Sequence, residues 1–241
     1  MFLCFSSADR YTVAKSCLYH LKNYGIIVWY DYHELILGDK KKEKNFENAI
    51  NSNKYFIIIY SEGLFNSPCA MEEEKLIFEQ SKTRDIVIFP LLYNIKFSKL
   101  PIQYQKKLEN FIYNEIDDST GTINSINQIV TKILIDKINN SYLDLTPSIQ
   151  NINTDNIKDL YISKMIDCYK NIDKSNFNAR ISVLFCISNY IELTKTINKE
   201  NMYIIDILKY LFKFTNLNID LNHKELIIAE LSLLLLIRDI F

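Results

Sequence analysis

The chain has 241 residues, 48% hydrophobic and 24% charged, with a formal net charge of -1. That composition excludes a disordered chain and gives no electrostatic ground for nucleic-acid binding, which rests on a basic surface. The 5 cysteines, Cys4, Cys17, Cys69, Cys168 and Cys186, are odd in number and never spaced as Cys-x-x-Cys, so neither a disulfide framework nor a zinc site is indicated.

A reducing, cytoplasmic setting is expected. The opening MFLCFSSADR has too short an apolar run before Asp9 and Arg10 for a secretory signal. The longest late apolar run, Leu231 to Ile237, falls well short of the roughly 20 residues that span a bilayer, so no membrane partner is expected.

In chain order, short β-rich runs alternate with helical patterns through the first half. MFLCFS (1 to 6) precedes a helix from Arg10 to Tyr24, and GIIVWYD (25 to 31) precedes one from Lys41 to Ser52. KYFIIIYS (54 to 61) leads to a helix from about Pro68 to Ser81, and DIVIFPLLY (85 to 93) comes before a last helix from Ile123 to Ile138. Continuous apolar strands alternating with helices predict a parallel sheet covered on both faces. After Asn139 a polar connection punctuated by Pro147 ends the alternation. Four helices follow, near 155–172, 176–198, 201–215 and 222–240, each opening after a Ser, Thr, Asp or Asn capping candidate. The expected domains are therefore 1–138, α/β; 139–154, a linker; and 155–241, a small all-α domain.

In an open α/β sheet, ligands bind beyond the carboxyl ends of the strands, near the point where the winding reverses. That rule selects the loops Ser6 to Asp9, Asp31 to Lys42 and Ser61 to Pro68. The third loop runs into NSPCAMEEEKLIF, where Ser67 and Pro68 read as N-cap and first helical residue. Glu72, Glu73 and Glu74 then fall beyond the first turn, where the helix dipole no longer accounts for them. At about 100° per residue, Glu72 faces away from the apolar set, whereas Glu73 and Glu74 lie at the edges of the buried stripe.

FLCFSSADR, VWYDYHELILGD and AINSNKYFIIIYSEGLFNSPCAMEEE together resemble the TIR (Toll/interleukin-1 receptor) domain family over roughly residues 1 to 138. Phe2 to Ser7 with Asp9 mirror its first box. Trp29, Tyr30, Asp31, Leu35, Gly38 and Asp39 mirror the second, and Ser61 with Ser67 to Glu73 the third. The resemblance implies a flavodoxin-like parallel five-stranded sheet and, by the register six residues after Ser67, assigns the catalytic carboxylate to Glu73. It also implies NAD+ as substrate, with no metal and no other cofactor, and Phe5, Ser6, Ser7, Asp9, Trp29, Tyr30, Asp31 and Cys69 around the substrate.

Two ambiguities belong to individual residues. Asp9 could hydrogen-bond a nucleotide hydroxyl or cap the helix beginning at Arg10. Cys69-Ala70 stands where many members carry Trp-Cys, so a stacking aromatic is missing; Phe5, Trp29 or Tyr30 could supply it or be ordinary strand core.

A bacterial-type NAD+ glycohydrolase or ADP-ribosyl cyclase is the function the resemblance implies, acting as an immune, anti-phage effector or signal generator. Its activity would depend on homo-oligomerisation through the TIR domain, with the loop carrying Leu35, Gly38 and Asp39 joining neighbouring copies. The helical domain would take an activating ligand or protein, or oligomerise the enzyme. The alternative is a non-enzymatic TIR adaptor or virulence mimic acting through TIR–TIR association.

Overall fold

A computed structural model describes residues 1–30, 37, 49–138 and 152–241. Within it the chain forms two compact units, Met1–Lys22 with Ile26–Ile126, and Asn23–Gly25 with Asn127–Phe241. No described helix is long and apolar enough to cross a membrane.

The first unit is built on strands β1 (Phe2–Cys4), β2 (Tyr55–Tyr60), β3 (Val87–Tyr93) and β4 (Asn114–Ile116), all parallel and ordered β1-β2-β3-β4. β2 sits between two partners, with Phe2 opposite Phe56 on one side and Ile57 opposite Phe89 on the other. Phe56, Ile57, Ile58 and Ile59 are each fully buried. Burying a side chain of that size stabilises by about 1.5–3 kcal/mol, which is why this apolar run belongs at the centre of the sheet. Pro90, with no amide to donate, lies one residue before pairing with β4 begins at Leu91.

Of the expected strand at residues 25–31, the described residues, 25–30, show one bridge, Trp29 to Phe2. Because Phe2 also pairs with Phe56, Trp29 must sit on the other edge of β1, giving the winding order of a flavodoxin-like sheet. Ile27, two residues before the bridge, is 88% exposed. Trp29 stacks on the Phe2 ring at 5.0 Å and 9°. Among the described residues the sheet therefore has four strands, not the five expected, and one of them, β4, sequence periodicity did not locate.

The helices of this unit are α1 (Lys15–Asn23), α2 (Glu62–Phe65), α3 (Pro68–Gln80) and α4 (Ile102–Leu108). α5 (Ile123–Lys137) passes from the first unit into the second. The expected helix at 41–52 lies mostly outside the described residues, as does most of the polar connection after 138.

The second unit adds α6 (Ile157–Lys170), α7 (Phe177–Thr194), α8 (Met202–Asn216) and α9 (His223–Ile240). Asn156 and Asn176 cap α6 and α7, and Asn222 with Glu225 forms a capping box on α9. Asn201, at the start of α8, makes no side-chain cap; Asn198 caps the short 3-10 turn ahead of it. A buried polar cluster ties Arg180 to the Tyr169 hydroxyl at 2.6 Å and to Glu230 at 3.1 Å.

Candidate functional site

Two loops at the carboxyl edge of the sheet are fastened to each other. After β1, Ser6 accepts a hydrogen bond from the Ala8 amide at 3.3 Å and opens a 3-10 turn over Ser7–Asp9. A π-helical turn, Arg10–Ala14, follows, with Thr12 off helical geometry at φ -100° and ψ -105°. Single π turns inside helices recur at functional sites. After β2, Ser61 accepts from the Leu64 amide at 3.0 Å and donates its own proton to Asp9 Oδ2 at 2.5 Å. Gly63 permits this approach: a Cβ there would stand 3.0 Å from Asp9 Oδ2 and 3.2 Å from Ser6 Oγ.

Asp9 therefore does not cap the helix at Arg10, because its side chain makes no cap bond and is turned to Ser61. Burial pushes its carboxyl above the ordinary value, and the Ser61 hydroxyl opposes that shift.

α3 starts as the sequence suggests, with Ser67 accepting from the Ala70 amide at 3.3 Å and Pro68 at its first position. The three acids then part company. Glu72 is exposed, while Glu73 and Glu74 are only 7% and 2% exposed. Glu74 points to the core, where it accepts from the Tyr60 hydroxyl at 2.9 Å and from Lys107 Nζ at 2.8 Å to each oxygen.

Glu73 instead lines a cleft of about 130 Å³ between the β1 loop and α3. Phe5, Ser7 and Arg10 come to it from the loop, and Ser67, Cys69 and Ala70 from the helix. Cys69 Sγ is 3.7 Å from Glu73 Oε1. Behind the cleft the Cys4 thiol donates to the Ala70 carbonyl at 3.7 Å. Burial first, then the Glu73 and Glu74 carboxylates, push this thiol well above its ordinary range, so it stays a neutral thiol rather than a nucleophile.

Phe5 and Tyr30 stack at 5.4 Å and 11°, and the Arg10 guanidinium lies 5.6 Å over the Phe5 ring and 6.0 Å over that of Tyr30. Of the residues expected around the substrate, the cleft brings together Phe5, Ser7, Cys69 and Glu73. Ser6 and Asp9 lie at the Ser61–Gly63 junction, Tyr30 backs Phe5, and Trp29 packs on Phe2. Asp31, Leu35, Gly38 and Asp39 lie outside the described residues.

Arg10 was not among the expected site residues; a lone basic residue after Asp9 carries no signal until the π turn brings it to the cleft. Among the described residues no group of three His, Cys, Asp or Glu side chains could hold a metal ion.

A sheltered carboxylate beside an aromatic ring and a hydroxyl is suited to stabilising developing positive charge on a bound ring. The cleft, at about 130 Å³, is smaller than the roughly 300–1,000 Å³ of whole small-molecule sites.

A parallel sheet flanked by helices, with the Trp29 bridge on one edge of β1 and β2 on the other and the cleft at the end of β1, defines the class: an α/β domain of flavodoxin-like winding. Within that class, the TIR domain family model matches residues 1–124, more than half the chain, and the chain belongs to the TIR domain family. Comparisons with curated proteins and with solved structures gave no significant match.

Proposed function

We propose that this protein cleaves the nicotinamide–ribose bond of NAD+, as a glycohydrolase or ADP-ribosyl cyclase, with Glu73 as the carboxylate at the reaction centre. One observation carries the reading: of the three adjacent acids, Glu73 alone is both sheltered and open to a cleft at the ligand edge. Glu72 faces water, and Glu74 is engaged by Lys107 and Tyr60.

The chemistry explains why one carboxylate suffices. When the bond between ribose C1′ and the pyridine nitrogen breaks, its electron pair stays on nicotinamide, which leaves as a neutral base. No general acid is then needed, unlike ordinary glycoside hydrolysis. The remaining oxocarbenium-like ribose is stabilised by the anion of Glu73. Water adding at C1′ and losing a proton gives ADP-ribose, whereas an internal nucleophile gives a cyclic product. Phe5 offers the ring face and Ser7 a hydroxyl.

In this reading the protein is a prokaryotic immune effector that works when copies associate through their TIR domains, in answer to a ligand or protein taken up by the helical unit. Nicotinamide release from NAD+, with and without enforced oligomerisation, tests it. Glu73→Gln should lower release by about 100-fold or more with little change in melting temperature. Full release by that variant would remove Glu73 from the mechanism.

A second reading, a non-enzymatic adaptor or virulence mimic, is favoured by Cys69, which leaves the cleft without the aromatic many members carry there. It requires that NAD+ be neither consumed nor bound, which calorimetric titration with NAD+ decides.

A further inference from the structure

The position next to Glu73 faces the core, where an apolar side chain would bury without penalty, yet it holds Glu74. Taking a carboxylate out of water costs several kcal/mol unless charge and hydrogen bonds offset it. Here the offset comes from two other elements. The Tyr60 hydroxyl reaches Glu74 from β2, and Lys107 reaches both of its oxygens from α4. Lys107 is itself 31% exposed, and its Nζ lies 4.7 Å from the Phe78 ring centre and 5.3 Å from that of Tyr104.

The same carboxylates meet again at β1. Glu73 and Glu74 are neighbours on α3 and both buried, 7% and 2% exposed, and after burial itself both push the Cys4 thiol of β1 up. Among the described residues, the titratable and charged groups around the pair include Cys4 from β1, Tyr60 from β2, Tyr104 and Lys107 from α4, Cys69 and Glu72 from α3 itself, and Arg10 across the cleft. Two carboxylates buried at adjacent positions disfavour each other's charged form, and a cation paired with one of them relieves that.

We propose that Lys107 is a positioning residue for the chemistry at Glu73: by neutralising Glu74 within the core it lets the adjacent Glu73 stay ionised, and it holds α3 in the register that turns Glu73 to the cleft. The catalytic half of this statement rests on the NAD+ reading; the charge coupling between the two glutamates does not.

Lys107→Met keeps most of the stem's volume and leaves the buried Glu74 without its counter-charge. Glu74→Gln with Lys107→Met removes both charges, and exchanging a buried pair for neutral groups is far milder than orphaning one partner. Glu74→Gln alone removes only the negative charge.

The test is a carbon-13 carboxyl NMR titration of the full chain, with the Glu73 signal assigned by its loss in Glu73→Gln, beside the pH profile of nicotinamide release. In Lys107→Met the Glu73 titration should move up, carrying the acid limb of the activity profile with it. The double variant should restore both. Should Lys107→Met not fold, Glu74→Gln serves in its place and should move the Glu73 titration down.

A Lys107 that merely stabilises the fold would lower the melting temperature and leave the Glu73 titration where it is in both single variants; that result overturns the proposal. A titration that moves as expected in a protein releasing no nicotinamide upholds the coupling and removes the NAD+ reading instead.

Discussion

Ser61→Ala is the most informative single change at the ligand edge, because one hydroxyl there does two jobs. It accepts from the Leu64 amide at 3.0 Å as the cap of α2, and it donates to Asp9 Oδ2 at 2.5 Å. Losing a serine cap costs about 1 kcal/mol. Losing a hydrogen bond to a charged, buried group costs about 1.5–3 kcal/mol. Together they predict about 2.5–4 kcal/mol, a large share of the roughly 5–15 kcal/mol that holds a domain folded.

The pH dependence separates the two parts. Asp9 has a folded value raised by burial, so the native state holds this proton at a pH where the unfolded chain has released it. Its charge is therefore a burden above the folded value, and that burden eases as pH falls through it. Removing Ser61 raises the folded value further, so the loss should be full at pH 7 and shrink toward the cap contribution near pH 4. Trp29, the single tryptophan, stacks on Phe2 in this unit and reports its urea unfolding. Equal losses at both pH values, or an undiminished loss in an Asp9→Asn background, would refute the Ser61–Asp9 account.

Two further outcomes follow from burial and capping. Under brief alkylation at pH 8, read by mass spectrometry, Cys168 and Cys186 should label first because both are exposed. Cys17, pushed up to about 12 chiefly by burial, and Cys4, pushed well up by burial and then by Glu73 and Glu74, should label only after unfolding. Asn222→Ala deletes the bonds its Oδ1 accepts from Lys224 N at 2.9 Å and Glu225 N at 3.2 Å. It should cost about 1 kcal/mol and speed hydrogen exchange at the first turn of α9.

What the sequence disclosed was local. Ser67 with Pro68, and Asn156, Asn176 and Asn222, mark their helix starts because a cap acts within three residues. The exposure of Glu72 follows from 100° steps along one helix. What it hid was joined across the chain. The Asp9–Ser61 bond spans 52 positions and the Lys107–Glu74 pair spans 33, and no periodicity links such residues. α4 reads IQYQKKL, with Ile102 71% exposed and Lys107 turned inward, so its pattern says little about its role. β4 has three residues and one buried side chain, too few for a strand signal.

Gly63 gives the ligand edge a mechanical character. With Asp9, Ser6 and Ala8 all within 3.3 Å of where its side chain would begin, the loops after β1 and β2 interlock like two teeth of one gear. The ordering of these two loops against each other is completed when the chain folds, so a ligand that touched both would meet little conformational freedom left to lose. Selection by this pair of loops would then be by shape already present, with adjustment left to the side chains that line the cleft.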